Sequence, residues 1–537
     1  MSNTANFPLL SLIMFTPLVG AVLLLFVSKP NAIRWIANGF AMLGFLVSLP
    51  LWFWLDTTSP DWQFVERHEW IPSIGAEYFI GVDGFSALLI LLATLMGAIA
   101  VLSSWTAITE RLKEYYIFLL LLQTGMIGAF VALDFLLFFV FWEVMLVPMY
   151  FLIGIWGSAN RLYSAIKFFL FTLVGSVIML LGILAVYFYN YDITGVYTFD
   201  ITRFHELNMP FEYQWWVFLA FFLGFAVKVP MFPFHTWLPD AHTDAPTAGS
   251  VILAAVLLKM GTYGFIRFSL PILPEATLVF VPWVVGLSIV GIIYGALVAM
   301  VQPDMKKLVA YSSVAHMGFV LLGIFALTVN GLQGGLIVMI SHGISTGALF
   351  LLLGMLYERR HTRKIEDFGG IGRVAPLFAT VFVLTALASI GLPGTSGFVG
   401  EFLALLGVFE THPTIAIIAT LGVIFAAYYM LPMVQKIFFN ALDKPENREM
   451  QDLSRREMAI LAPLCALMIW IGWNPTPILE RMEPSVRLVL ERVQAAAPAG
   501  TLGSVLEPGS SVVVVPAPAD LEASDDLDGG DRSTDDD

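Results

Sequence analysis

The sequence predicts an all-α polytopic membrane protein of about fourteen transmembrane helices, since a span needs about 20 apolar residues. Of the 537 residues, 58% are hydrophobic and only 13% are charged, whereas a soluble domain is about 25% charged. Apolar runs long enough to span a bilayer recur through the chain. Two of them, five spans apart, are interrupted by proline and glycine, which indicates two inverted five-helix repeats with one broken helix each.

The predicted spans follow one another without an inserted soluble domain. They cover residues 8–28, 33–55, 85–107, 115–133, 135–156, 163–190, 213–234, 247–270, 276–301, 305–327, 332–356, 373–410 (broken), 413–439 and 457–474. The longest connections, 56–84 and 191–212, are expected on one membrane face. Residues 475–496 have the pattern of an amphipathic interfacial helix.

Five regions follow from this arrangement of spans. They are 1–112 (spans 1–3), 113–271 (first repeat, spans 4–8, broken span 7), 272–440 (second repeat, spans 9–13, broken span 12), 441–496 (last span and amphipathic segment) and 497–537 (tail). The tail ends in DLEASDDLDGGDRSTDDD, a strongly acidic composition that predicts disorder.

Lysine and arginine are unevenly divided between the connections. Seventeen follow odd-numbered spans, and only Arg67, Arg203 and Arg267 follow even-numbered ones. Because basic loops stay in the cytoplasm, we expect the odd connections there and both termini in the periplasm of a bacterial inner membrane. Two termini on one side require an even number of spans, which agrees with fourteen.

Three charged residues lie deep inside predicted spans. Glu143 is about nine residues into span 5, roughly 13 Å from its start, and Lys259 has roughly 18 Å of span on either side. Lys228 is only about six residues, roughly 9 Å, from the far end of span 7, so extension of its side chain to the interface is an alternative. Because an intramembrane charge costs roughly 3 kcal/mol or more, we interpret all three as parts of an ion path. A neutral, packed Glu143 is the structural alternative.

Two histidines and a second glutamate lie at similar depth. His316 has Ser312 one turn before it, and His342 has Thr346 one turn after it. Residues at this spacing share a helix face, which makes a proton relay a hypothesis beside the alternative of two core histidines. Glu401 follows the break GLPGTSGFVGE, where the helix dipole also favours a carboxylate.

Several classes of function are excluded or disfavoured. Cys465 is the only cysteine, so disulfides and thiolate metal sites within the chain are excluded. No nucleotide-binding, iron–sulfur or haem motif occurs, and no basic region suits nucleic acid. The irregular group His235, Asp240, His242 and Asp244 resembles metal ligands only superficially, and the two aspartates are expected to cap turns after the broken helix.

The stretch KVPMFPFHTWLPDAHTDAPTAGSVILAAVLLKMGTYG, residues 228–264, resembles the signature of the antiporter-like membrane subunits of respiratory complex I. The resemblance extends over about residues 1–475 through the span count and the paired broken helices. In that family the span-5 glutamate pairs with the span-7 lysine, which matches Glu143 and Lys228. Lys259, His316 and His342 match its central hydrophilic axis. Glu401 fits the branch of the family that carries glutamate on broken span 12, where the other branches carry lysine.

The resemblance implies proton translocation coupled to NADH oxidation elsewhere in a complex. It implies no redox cofactor in this chain, with NADH, FMN, iron–sulfur clusters and quinone in other subunits, and neighbouring antiporter-like subunits as partners within the lipid bilayer. Protons are expected to enter near Glu143 and Lys228 and to leave near Glu401. The alternatives are a subunit of a multisubunit cation/proton antiporter, a stand-alone solute transporter and a structural spacer.

Overall fold

Each predicted span has a helical counterpart in the computed structural model, which describes residues 7–496. The predicted acidic tail, 497–537, lies outside the described residues. The helices are α1 (Leu9–Leu25), α2 (Pro30–Trp54), α3 (Gly84–Ala107), α4 (Leu112–Val131), α5 (Phe135–Trp156), α6 (Arg161–Thr194), α7 (Phe211–Lys228), α8 (Trp237–Asp244), α9 (Thr247–Ile272), α10 (Pro274–Met300), α11 (Met305–Phe325), α12 (Val329–Arg360), α13 (Pro376–Ser389), α14 (Ser396–Thr411), α15 (Pro413–Phe439), α16 (Arg455–Trp473) and α17 (Thr476–Ala495). Single turns at Ile201–Phe204 and Pro445–Arg448 lie in connections.

Eleven of the described helices are long and apolar enough to cross a membrane, and α1 and α13 are apolar but shorter. The prediction of a helical polytopic membrane protein is therefore confirmed. The total of fourteen spans and the five regional boundaries stay predictions. Helix α17 lies where an amphipathic interfacial helix was expected, with one face buried against the bundle.

The connection 56–84 contains the two described strands, which sequence reasoning missed. β1 (Gln63–Ile71) pairs antiparallel with β2 (Ala76–Val82), with Arg67 opposite Phe79. The run QFVERHEWI alternates only in part, and its mixed charge masked its tendency to form a strand. The hairpin covers the end of the bundle and hydrogen-bonds to α1, where the Leu10 amide donates to Glu66 Oε1 at 2.9 Å.

The connections after odd-numbered spans meet at one end of the bundle, the odd end. Arg363, after span 11, lies 3.2 Å from Asp304, after span 9. The Ser158 amide, after span 5, donates to the Asp244 carbonyl, at the end of α8, at 2.9 Å. The side chain of Arg360 donates to Asn447, after span 13, at 2.9 Å. The predicted grouping of these connections on one side is thus present in the fold.

The connections after even-numbered spans meet at the opposite end, the even end. Asp200, after span 6, lies 2.9 Å from Arg67 in the hairpin. The Glu77 amide in β2 donates to Asp134, after span 4, at 3.0 Å. Helix α17 lies at the same end, because Ser485 accepts a bond from the Gly84 amide at 3.2 Å. Both ends of the described chain therefore share one face, and the assignment of that face to the periplasm stays a prediction.

Both predicted helix breaks are present. In span 7 the helix ends at Lys228, and non-helical residues 229–236 precede α8. Pro230 and Pro233 supply no backbone donor there, so the helix cannot continue unbroken. In span 12, residues 390–395 separate α13 from α14, and Gly391 and Gly394 have φ of +75° and +90°, which favour glycine. The inverted relation of the two halves stays a prediction.

The interior of the bundle is formed by α9, α11 and α12. The apolar cores of α9 and α12 are wholly buried, whereas less than half of α6, α10 and α15 is buried. Helix α9 also contains two wide turns, Leu253–Leu257 and Phe265–Ser269, with π-helical bonding. Such turns are frequent at functional sites because they displace a backbone carbonyl from its usual partner.

Candidate functional site

Lys259 lies in α9 directly after the first wide turn, with no exposed surface. Its Nζ donates to the Ala254 carbonyl, five residues earlier, at 2.5 Å. Nζ also lies 2.7 Å from Nδ1 of His342 on α12. The lysine is therefore held by one backbone and one side-chain partner in the interior of the bundle, where it cannot reach solvent.

His342 and His316 continue this line from α12 to α11. Their ring centroids are 5.5 Å apart, with the edge of one ring facing the other at 63°. Both side chains are buried, and the Nε2 atom of each has no hydrogen-bond partner. Each imidazole thus keeps one nitrogen free to take or give a proton, with its other nitrogen already bonded.

Glu401 on α14 closes the line. Its Oε1 lies 2.9 Å from Nδ1 of His316, and the carboxylate is buried. Its Oε2 packs against the break in span 12, where a Cβ added to Gly391 would lie 2.8 Å away. A side chain at position 391 would crowd the Glu401 carboxylate, so the glycine leaves space for it beside the backbone. Lys259, His342, His316 and Glu401, all identified from the sequence, form one line of neighbouring side chains across four helices. Its two end pairs are hydrogen-bonded, and the two histidines between them meet by ring contact.

Glu143 and Lys228 do not extend that line as a directly bonded pair. No salt bridge joins the two described side chains, and Oε1 of Glu143 is buried without a hydrogen-bond partner. The Glu143 carboxylate is nevertheless close enough to Lys228 to act on it electrostatically. Lys228 is buried, and its Nζ lies 5.0 Å from the ring centroid of Trp142. Glu143 as a whole is half-buried on α5, next to the exposed Val144. The pairing implied by the resemblance is therefore at most a through-space interaction in this structure.

Sequence reasoning missed a cavity at the odd end. It has a volume of about 180 Å³. Its polar lining comes from two connections and three helices, and consists of Ser158, Thr243, Asp244, Lys306, Tyr357 and Arg363. Lys306 donates from Nζ to the Ala245 carbonyl at 2.6 Å. The signal available in the sequence was the charge of Lys306 and Asp244 at the ends of apolar runs.

His242 lies between this cavity and the buried line. It is fully buried in α8, and neither ring nitrogen has a partner. Its ring stacks on Phe350 at 4.5 Å, two turns along α12 from His342. Between them on the same helix is Thr346, whose buried hydroxyl also has no partner. From the sequence, His242 was considered only as a metal ligand and rejected, and its position beside the cavity was not predicted.

The expectation that Asp240 and Asp244 cap turns was wrong. Asp240 forms a salt bridge with Lys167 on α6 at 2.7 Å. Asp244 accepts from the hydroxyls of Ser158 and Ser164 at 2.5 and 2.6 Å. Both carboxylates therefore join α8 to the α5–α6 region, which a local capping rule cannot anticipate. Within residues 7–496, no group of three or more histidine, cysteine or acidic side chains is arranged to hold a metal.

Arg267 was placed in an even-numbered connection by the sequence analysis, which was wrong. It lies inside α9, buried, with its guanidinium 2.8 Å from Asp83 at the start of α3. Tyr263 accepts a further bond from its Nε at 3.1 Å. Nearby, outside the helices, burial lowers the pKa of His205 well below its usual value, and Arg492 and Arg267 lower it further. This cluster ties α9 to the even end.

A family model and the sequences of known proteins point to the same family. Residues 132–426 match the family model described as NADH:quinone oxidoreductase/Mrp antiporter, TM. The NADH-quinone oxidoreductase subunit M of Rhodobacter capsulatus is 47% identical, with 91% of this chain and 97% of that protein covered. The NADH-ubiquinone oxidoreductase chain 4 of Chondrus crispus is 43% identical, with 91% and 99% covered.

Solved structures agree with this result. A chain of respiratory complex I from Thermus thermophilus is 32% identical, with a TM-score of 0.83 and coverage of 90% of this chain and 99% of that chain. A chain of the Mrp complex from Dietzia shares the fold at 22% identity, with a TM-score of 0.77 and coverage of 91% and 99%. Because the family model spans more than half of this chain and the relatives are covered almost end to end, the chain belongs to the NADH:quinone oxidoreductase/Mrp antiporter family, among the proteins named subunit M or chain 4.

Proposed function

We propose that this chain is a proton-translocating membrane-arm subunit of NADH–quinone oxidoreductase. The observation that carries the proposal is the line from Lys259 through His342 and His316 to Glu401. Ionisable groups are rare inside membranes and mark ion pathways and proton relays. A line of an amine, two imidazoles and a carboxylate in an apolar interior offers alternating donors and acceptors for a proton.

The cavity at the odd end supplies water-side access to this line. One face of α12 carries Tyr357 at the cavity, then Phe350 beneath His242, then Thr346 and His342. The spacings of seven, four and four residues keep these side chains on one helix face. A proton taken up at the cavity would pass to the free nitrogens of His242 and then to His342 and Lys259. This route supplements the access near Glu143 and Lys228 expected from the sequence.

Glu143 and Lys228 act in this proposal as a separate charge pair, and Glu401 as the group nearest the exit. Because Trp142 lies beside Lys228 and no direct bond joins the pair, the attraction between them can change when a neighbouring subunit or the broken helix moves. A buried lysine releases its proton more easily when its carboxylate partner withdraws. Turnover elsewhere in the complex would act on the line through this pair.

The proposed setting is a bacterial inner membrane, with the odd end in the cytoplasm and both termini in the periplasm. The chain itself would hold no redox centre. NADH, FMN, iron–sulfur clusters and quinone would be bound by other subunits, and antiporter-like subunits would lie next to this one in the membrane arm. The relatives at 42–47% identity carry names from that enzyme.

The second candidate is a subunit of a multisubunit cation/proton antiporter. It is favoured by the family model, whose description includes the Mrp antiporter, and by the fold shared with the Mrp complex chain at 22% identity. The two candidates differ in their source of energy. A complex I subunit is driven by electron transfer, whereas an antiporter exchanges cations without electron transfer.

The test is purification of the native complex followed by reconstitution into vesicles. We expect flavin and iron–sulfur subunits to co-purify and NADH to drive proton uptake. Glu401→Gln should abolish most of that uptake, because an amide cannot carry a proton in this exchange. The matched control is Glu410→Gln on the same helix. Asn330 donates to the Glu410 carboxylate at 2.6 Å, and it can donate equally to the amide oxygen of the glutamine. Cation-driven proton exchange without flavin subunits would favour the antiporter.

A further inference from the structure

A second polar cluster lies at the odd end, well away from the proton line. Arg34 begins the second turn of α2, Tyr116 lies in the second turn of α4, and Arg456 is the second residue of α16. Tyr116 has no exposed surface, and its hydroxyl has no hydrogen-bond partner. This hydroxyl is within electrostatic range of both guanidinium groups.

Both arginines keep unsatisfied donors at this cluster. Arg34 Nε and Arg456 Nη1 are buried without partners. Their remaining contacts are neutral: Arg34 Nη1 meets Asn31 at 3.5 Å, and Arg456 Nη2 donates to Thr106 at 2.7 Å. Neither arginine forms a salt bridge with a described carboxylate. A buried donor without an acceptor is destabilising, more so when it is charged, and an anion at this cluster would satisfy both guanidinium groups.

The acidic side chains nearest the cluster do not complete it. Glu457 is occupied by a bidentate pair with Arg359, at 2.8 Å for each bond. Glu358 is close enough to Arg456 to interact electrostatically but forms no salt bridge with it. The local charge on the cluster itself is therefore positive.

An apolar groove leads from the cluster towards the even end. Helices α2 and α16 both pack against α3 and have little contact with each other. The partly exposed stripe of α3 between them consists of Leu91, Leu95 and Leu102. From Leu91 to Leu102 the stripe is about 16 Å long at 1.5 Å per residue. That length suits an acyl chain lying along the membrane normal.

Tryptophans lie at both ends of the groove. At the odd end, Trp35 meets Trp105 edge-on at 5.0 Å, and Trp35 is largely exposed. At the even end, Trp52 meets Trp470 at 5.8 Å. Tryptophan is enriched at the two membrane–water interfaces, so the arginine cluster, beside Trp35 and Trp105, lies at headgroup level.

We propose that Arg34, Tyr116 and Arg456 bind the phosphate of an anionic phospholipid whose acyl chain fills the groove between α2 and α16. Basic pockets between helices on the cytoplasmic side suit such headgroups. Two guanidinium groups match phosphate oxygens as fork-like donors, and the phenol adds a third bond. The lipid would join α16 to the N-terminal helices where direct protein contact is sparse.

The test uses the intact complex in membranes and a photoactivatable phosphatidylglycerol as probe. After cross-linking, we expect labelled peptides from α3 and α16. The double variant Arg34→Gln, Arg456→Gln should lower labelling about five-fold for each arginine removed. Tyr116→Phe should lower it less, and the control Arg455→Gln, at an exposed neighbour, should not change it. Native gels establish that each variant complex assembles.

Two further arms decide what the site recognises. Phosphatidylcholine of the same chain length should label weakly, because its headgroup is neutral overall. Inorganic phosphate should not compete, because it lacks the chain that fills the groove; effective competition would assign the site to a free anion and overturn the lipid proposal. Undiminished labelling in the double variant would overturn it as well. Cross-links from this cluster to an acidic residue of a neighbouring subunit, in place of lipid, would assign the groove to a protein partner.

Discussion

The two broken helices lead to different arrangements of buried charge. Beside the break in span 12, Glu401 contacts His316 directly, and the contacts continue to His342 and Lys259. Beside the break in span 7, Lys228 lies against Trp142 and is not bonded to Glu143. One region is thus a connected line and the other a separated pair.

The position of each region in the bundle accounts for this difference. Helices α9, α11 and α12 are almost wholly enclosed by protein, and a buried polar group needs a partner. Glu143 lies on α5, which is about half buried, and is itself half-buried. The enclosed region therefore keeps its polar groups in direct contact, whereas the pair on the less enclosed helices keeps its charges apart.

The largest effect is expected from Lys259. An arginine there stays protonated and does not fit contacts of 2.5 and 2.7 Å. Both Lys259→Ala and Lys259→Arg should lower NADH-driven proton uptake by more than about ten-fold, while the complex assembles and oxidises NADH with artificial acceptors. Lys113→Arg is the control, since Lys113 bonds only the exposed Leu25 carbonyl. If the Lys259→Arg variant kept nearly normal proton uptake, Lys259 would act only as a fixed positive charge and would not release its proton in turnover.

Glu143 tests the separated pair. Glu143→Ala should abolish or severely reduce proton uptake and coupled NADH–quinone activity in an assembled complex. Glu143→Asp should keep part of both, because a through-space interaction tolerates the loss of one methylene better than a direct bond does. Glu212→Ala, on the exposed start of α7, is the control. Normal uptake by an assembled Glu143→Ala complex would remove the pair from the mechanism.

The two histidines are expected to have intermediate effects. His316→Gln and His342→Gln each remove a proton carrier but leave a polar side chain, so water can partly replace the imidazole. We expect a loss of about two- to ten-fold in proton uptake, below that for Lys259. His68→Gln in the exposed hairpin should have no effect. Equal and complete losses of proton uptake in the His316, His342 and Lys259 variants would mean that these residues act as one unit.

The smallest effect on activity is expected from labelling variants that locate the two ends. In a Cys465→Ser background, Lys364→Cys at the odd end should react with maleimide from the cytoplasm, and Glu69→Cys in the hairpin from the periplasm. Both variants should retain activity, because both side chains are exposed. Reaction of Glu69→Cys from the cytoplasm would reverse the orientation of the bundle.

The sequence by itself determined the depth of each residue in the membrane. Apolar length located the spans, proline and glycine located both breaks, and charge at depth identified the six residues from Glu143 to Glu401. Depth is a property of position along the chain, so no tertiary contact is needed to infer it. The same argument placed the odd and even connections at opposite ends.

Only the tertiary structure decided which of these residues meet. Two residues at equal depth can face each other or face apart, because helix rotation and packing depend on contacts remote in sequence. Thus Lys259 meets His342, whereas Glu143 and Lys228 come within electrostatic range of each other without a direct bond. Arg267 is buried against Asp83, and His242 lies between a cavity and the proton line, for the same reason. The wide turn before Lys259, which offers it the Ala254 carbonyl, likewise arises from packing and not from a local motif.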